Sequence, residues 1–201
     1  MTCFLIVVFF SNQMTNIINT KRINQITSFL KSLNIKSKRF SKIIKQQNIL
    51  FIQDFNQALI HSSEDKIFNY EKLEFFGDAV LRLAASNFIE RKYSQLSVGE
   101  RSELRAHIVS DEWLTKLGKK INIEKLIIKG PKALGDEDAK NTIIGESTEA
   151  LIGVVYKCFD SIQEVNIWLD DMWEEDSEIF LKAPYKFNSK TVFKSGVKVK
   201  V

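Results

Sequence analysis

Proline and glycine are scarce in this chain, with 2 and 8 residues among 201, which argues against a turn-rich all-β architecture. Cysteine is nearly absent. Cys3 and Cys158 form neither a CxxC pair nor a disulfide framework, so a reducing compartment is the default. His61 and His107 stand far apart, without the spacing of zinc ligands. Long apolar runs are missing too. Residues 3–10 (CFLIVVFF) are too few to span a bilayer, which takes about 20 residues. They also lack the basic start and small-residue cleavage site of a secretory signal. The run reads as a stretch buried on the body of the protein, or as sequence upstream of a true start at Met14. No membrane association is expected, and the expected location is the cytoplasm, or the plastid stroma if the chain is organelle-encoded.

Acids are missing from both ends. Residues 1–50 carry eight Lys/Arg and no Asp/Glu, a charge of +8, and residues 181–201 carry six Lys and no acid, a charge of +6. The middle, 51–180, holds all 25 acids against 15 bases, a charge of −10. Basic ends around an acidic centre suit a polyanion held at its edges, although the same pattern fits solvated faces and a loose basic tail.

Hydrophobic residues make up 44% of the chain, enough for a real core, and they recur with helical period. Helices are predicted over 20–33, over one or two stretches within 43–63, and over 70–93, 97–109, 112–119, 141–159 and 162–181. Residues 129–138 (KGPKALGDED) read as a loop. No alternation with period two is sustained, so the fold class is all-α. The expected organisation is a basic N-terminal extension with a short helix over 1–40, one helical domain over 41–181, and a basic flexible tail over 182–201.

The helix at 70–93 begins YEKLEFFGDAVLRLAA. At about 100° per residue, with Glu74 at 0°, Asp78 falls at about 40° and Glu71 at about 60°. Leu73, Phe76, Val80, Leu83 and Ala84 occupy the opposite arc, expected to face the core, while Gly77, Leu81 and Ala85 flank the acids. Like charges at i,i+3 and i,i+4 repel by about 0.2–0.5 kcal/mol each when exposed, and more when half-buried. A divalent cation would remove the conflict. In the later helix (IIGESTEALIGVVY) Glu146 and Glu149 share one face, with Gly145, Ala150 and Gly153 beside them. Small residues allow close approach, which would bring Glu74, Asp78, Glu146 and Glu149 into an all-oxygen site suited to Mg²⁺ or Mn²⁺ rather than Zn²⁺. Spacing alone fits equally two amphipathic helices carrying ordinary surface acids.

Residues 70–81 (YEKLEFFGDAVL) resemble the signature of the ribonuclease III family, whose pattern is close to N-E-R-L-E-F-L-G-D-A-V-L. Residues 58–62 (ALIHS), 104–110 (LRAHIVS) and 149–156 (EALIGVVY) resemble further family segments in the same order. The similarity covers roughly residues 40–180, and its wording leans towards the cyanobacterial and plastid branch. The resemblance implies the family's endonuclease-domain helical fold and a metal-dependent endoribonuclease acting on double-stranded RNA. It also implies water as nucleophile, 5′-phosphate and 3′-hydroxyl ends, and processing of structured or ribosomal RNA precursors. By position, Glu74, Asp78, Glu146 and Glu149 become metal ligands, Asp78 and Glu149 catalytic, and Glu71 an accessory acid. Phe75 matches the aromatic that the family inserts into a partner subunit, implying a homodimer. Mg²⁺, with Mn²⁺ as a substitute, is the expected cofactor, and no small-molecule organic cofactor is expected.

Two departures stand out. Glu146 occupies a position where the family usually has Asp, and the extra methylene is expected to loosen metal geometry. The family's C-terminal double-stranded-RNA-binding domain usually begins where the last twenty residues lie, leaving duplex binding to the dimer groove and the basic ends. Arg101, Arg105, Lys129 and Lys132 are candidate phosphate contacts, which equally read as solvated cations. His61 reads as a hydrogen-bonded structural histidine, His107 as surface or groove lining, Cys158 as a small buried apolar residue, and Trp113, Trp168 and Trp173 as core. The competing function is a catalytically weak or inactive ribonuclease III-like module that binds RNA or the ribosome. A helical protein–protein adaptor rests on the all-α reading alone.

Overall fold

The structure, a computed structural model, describes residues 18–33, 35–46 and 49–182. The run at 3–10, Met14 and the tail beyond Lys182 lie outside these residues. In chain order the helices are α1 (Thr20–Ser32), α2 (Lys38–Gln46), α3 (Ile49–Gln57), α4 (Glu71–Lys92), α5 (Val98–Ile108) and α6 (Asp111–Lys120). A 3₁₀ turn (Ile123–Leu126), α7 (Glu137–Phe159) and α8 (Ile162–Lys182) follow. Among the described residues extended pairing is limited to an isolated parallel bridge between Ile60 and Ile128. The fold is all-α, as predicted.

Short polar side chains start several of these helices by accepting the free N–H groups of the first turn. Asn19 opens α1, Ser110 opens α6, and Ser97 with Glu100 forms a reciprocal capping box on α5. Asp136 caps α7 through the Ala139 N–H, so that helix begins four residues before the expected 141. The acids read as loop are its cap and first turn, where negative charge suits the helix dipole.

α7 is the central element. Ile143, Ile144, Ala150, Leu151, Ile152, Val154 and Val155 are buried around its circumference, the pattern of a helix enclosed by others. α4 makes the largest interface with it, and α6 the next. Ile26, Phe29 and Leu30 of α1 and Phe40 of α2 join the same core as α4 and α7, so helices within residues 20–40 contribute to the domain. The three tryptophans are buried, with Trp113 and Trp173 stacked 5.6 Å apart at a tilt.

One expectation about α4 is corrected. Phe76 and Leu83 are exposed, while Gly77, Leu81 and Ala85 are buried. On a surface helix the core-facing arc lies opposite the acids. The acids instead stand at the edge of the α4–α7 interface, and the core-facing arc is turned towards them. Phe75 (85% exposed), Phe76 and Leu83 therefore form an outward apolar stripe.

Candidate active site

The α4–α7 contact is set by glycines. A Cβ built on Gly77 would lie 2.1 Å from the Glu149 carbonyl oxygen, and one on Gly153 would lie 2.7 Å from that of Leu73. No side chain fits there. Backbone therefore meets backbone beside Glu149. The expected small-residue stripe on α7 is only partly right, because Gly145 faces Thr115 and Leu114 of α6 instead. Gly77, read merely as flanking the acids, is the closest approach.

This contact brings the acids of the two helices within reach of one another's charge. Glu74 is half-buried, and burial followed by repulsion from Glu146, Glu71 and Asp78 pushes its carboxyl up to about 7. Burial likewise pushes Glu149 up to about 8, reinforced by Asp78, Glu74 and Asp111 and opposed by Arg82. Carboxylates that hold protons near neutrality mark negative charge lacking a counter-charge. All four predicted ligands and Glu71 belong to this cluster. As they stand, no three His, Cys, Asp or Glu side chains among the described residues are grouped tightly enough to grip an ion.

Hydrogen bonds hold two of the acids. The Tyr70 hydroxyl donates to Glu146 Oε2 at 2.5 Å. Tyr70 is 2% exposed, and burial with the hydrogen bond to Glu146 raises its phenol well above the ordinary range, so it stays protonated. Arg82 Nε donates to Asp78 Oδ1 at 2.6 Å, one turn along α4. Asn69 Oδ1 accepts the Glu71 N–H and fixes the start of the helix.

His61 stands at the Tyr70 end of the cluster, its ring edge-on to the tyrosine ring at 5.5 Å. Its Nδ1 accepts the Ser63 N–H at 3.0 Å, which places the neutral ring's proton on Nε2. Burial pushes this imidazole down, with Glu146 opposing. The structural reading of His61 describes its contacts, and its place beside the acids adds to it. The bridge from Ile60 to Ile128 brings Lys129 near enough to act on the same histidine.

The other basic candidates divide. Arg101 is engaged at Nε by Leu96 O, at Nη1 by Glu90 and at Nη2 by Ser94 O, so it braces the α4–α5 turn. Arg105 is exposed and donates to Ser86 at 3.1 Å beside a cavity of about 320 Å³. Lys132 is exposed. Sequence reasoning missed Tyr70, Arg82 and Asp111. Arg82 was findable as an i,i+4 partner of Asp78; the other two carry no local signal.

The chain is thus an all-helical domain that gathers carboxylates from two glycine-apposed helices, and proteins of known type resemble it in sequence and fold. A family model described as ribonuclease-III-like matches residues 53–165. Ribonuclease 3 of Prochlorococcus marinus is 43% identical over 176 residues, covering 88% of this chain and 70% of that protein. Ribonuclease 3 2 of Synechocystis sp. is 37% identical over 57% of this chain, which spans about half (47%) of that protein. Among solved structures, the nuclease domain of ribonuclease III from Campylobacter jejuni, described with flexibility in a region involved in dimer formation, superposes with a TM-score of 0.54. Its identity is 23%, with 79% of this chain and 95% of that one covered. Dicer from Pichia stipitis superposes with a TM-score of 0.53 at 24% identity, over 64% and 57% of the two chains. The chain belongs to the ribonuclease III family, as an endoribonuclease of that type.

Proposed function

We propose that this chain hydrolyses double-stranded RNA as a divalent-metal-dependent homodimer, leaving 5′-phosphate and 3′-hydroxyl ends, in the processing of structured or ribosomal RNA precursors. The observation that carries the metal reading is the convergence of acids from α4 and α7 at the glycine contact, where Gly77 lies against the Glu149 backbone and burial with neighbouring acids raises both Glu74 and Glu149. Glu74, Asp78, Glu146 and Glu149 form an all-oxygen donor set, which fits Mg²⁺ or Mn²⁺. Bound there, the cation supplies charge neutralisation at the phosphodiester and acidifies water at neutral pH. The chain's own part is to position these oxygens, yield the protons of Glu74 and Glu149, and offer Arg82 at the mouth of the cluster. Arg105, Lys129 and Lys132 provide cations for the duplex backbone, which is recognised by shape and phosphate contacts. Phe75 seats in the partner subunit.

In a cleavage assay on a plain duplex, wild-type protein with Mg²⁺ or Mn²⁺ cuts and protein with chelator does not. Asp78→Asn or Glu149→Gln lowers the rate by at least about a hundredfold, above the roughly 10–100-fold typical of losses one shell further out, and leaves duplex binding intact. An uncut duplex at every metal concentration refutes the reading. It would favour the RNA-binding module, which fits the observation that among the described residues no three acids stand close enough to grip an ion.

A further inference from the structure

Glu146 is one methylene longer than the residue that the family pattern favours, and the structure shows how the extra length is used. Its Oε2 accepts the Tyr70 hydroxyl at 2.5 Å, although the two residues are 76 positions apart. Tyr70 itself stands where the signature has Asn. The tyrosine is not free to follow the carboxylate. It is buried at the start of α4, its own N–H donates to Ile60 O, and its ring lies edge-on to His61, whose Nδ1 is fixed by Ser63. The hydroxyl is thus a stationary donor, and the flexible partner is the glutamate.

We propose that Tyr70 is a positioning residue that sets where the Glu146 carboxylate stands, so that the two act as a matched pair in presenting a cation ligand. The proposal rests on the metal-dependent reading above. An Asp at 146 would draw its oxygens back by about one C–C bond, roughly 1.5 Å, lengthening a 2.5 Å contact beyond hydrogen-bonding range. The family's usual residue is therefore the wrong length for this chain. In this chain the Tyr70 hydroxyl and the Glu146 carboxylate match one another in reach, and the length of each side chain makes sense only beside the other.

A double-mutant cycle tests this with Y70F, E146D and Y70F/E146D. The main readout is Mn²⁺ affinity of the RNA-free protein by electron paramagnetic resonance, with thermal melting as a control and duplex cleavage alongside. Y70F weakens Mn²⁺ binding by roughly tenfold, the scale of a hydrogen bond to a charged group, while its melting point stays near that of wild type. E146D also weakens binding, although Asp is the family's usual residue. In the E146D background Y70F changes affinity by less than about twofold, because the contact is already gone. A purely structural tyrosine would lower the melting point equally in both backgrounds and would show no coupling in affinity. Factors that multiply, an unchanged affinity in Y70F, or tighter binding in E146D each overturn the proposal. Should Y70F fail to fold, the sign of the E146D effect decides alone. If wild-type protein takes up no Mn²⁺, the metal reading fails and this proposal with it; wild-type uptake that Y70F leaves untouched sinks the proposal only.

Discussion

One added methyl group, Gly77→Ala, puts the packing beneath the site to a quantitative test. The new Cβ would stand 2.1 Å from Glu149 O and 2.8 Å from its carbonyl carbon, against the 3.0 Å that real Cβ contacts essentially never undercut. The clash is with backbone, so no rotamer change relieves it. The helices must part by roughly 1 Å, the difference between 3.0 and 2.1 Å. Alanine gains about 1 kcal/mol of helix propensity over glycine, while overpacking costs about 1–3 kcal/mol. With a rigid obstacle the upper half of that range applies, leaving a net loss of about 1–2 kcal/mol. For a domain of this size that is a fall in melting point of about 2–8 °C. The functional effect should be larger, since misplacing reacting groups by about 1 Å can cost about a hundredfold in rate. Thermal melting and duplex cleavage measure the two. Gly145→Ala is the control, because its Cβ would meet Thr115 Oγ1 at 3.4 Å, an ordinary contact. It should be neutral or slightly stabilising and fully active. A Gly77→Ala protein that melts at or above wild type and cuts normally would refute the claim that backbone apposition builds the site.

The remaining predictions concern charge and assembly. Burial and neighbouring acids push Glu74 and Glu149 up to about 7 and about 8 in the folded state, against an ordinary value of 4.5. Between those values the folded chain binds more protons than the unfolded one, so their contribution to stability falls as pH rises from about 4.5 and levels off above about 8. Mg²⁺ needs the ionised forms, so the rise in melting point it produces should be larger at pH 8.5 than at pH 6; an equal rise at both counts against the cluster. Arg82 is exposed, and its pair with Asp78 adds little stability, yet it opposes the elevation of Glu149. Arg82→Met should leave melting nearly unchanged and move the rising limb of the rate–pH profile to higher pH, and an unmoved limb would exclude this role. Phe75→Glu places a charge on the exposed apolar stripe and should yield monomers in analytical ultracentrifugation, whereas an intact dimer would show that the stripe is not the interface.

Much of the fold was legible because its signals are local. Hydrophobic period alone locates α4, α5, α6 and α8 to within a residue or two, whereas the acids of residues 129–138 that open α7 carry no apolar period and read as loop. The orientation of α4 was less legible. A helical wheel assigns the face opposite the charges to the core, and Phe76 and Leu83 followed that rule into solvent. The rule fails where charges border an interface between two helices instead of facing water. The four acids were legible through their spacing and the family pattern. Tyr70 and Asp111 were not, because each acts on an acid across the fold, and nothing in the local sequence distinguishes a hydroxyl at a helix start from one that meets Glu146.

The same geometry explains why so many non-carboxylate residues matter to a site defined by carboxylates. Four acids on two independent helices would separate under their own repulsion, and side-chain freedom would let each turn to water. Here the glycines fix the helices at backbone distance, and α7 is held from all sides by the core, so the main chain cannot yield. Repulsion must then be met at the side chains. Tyr70 restrains one, Arg82 pairs with another, and protons are retained on Glu74 and Glu149. Each of these arrangements eases part of the negative charge of the cluster. A cation that displaces the protons and the Arg82 pair would relieve all of them together, which is why its binding should stabilise the fold most where the acids are most fully ionised.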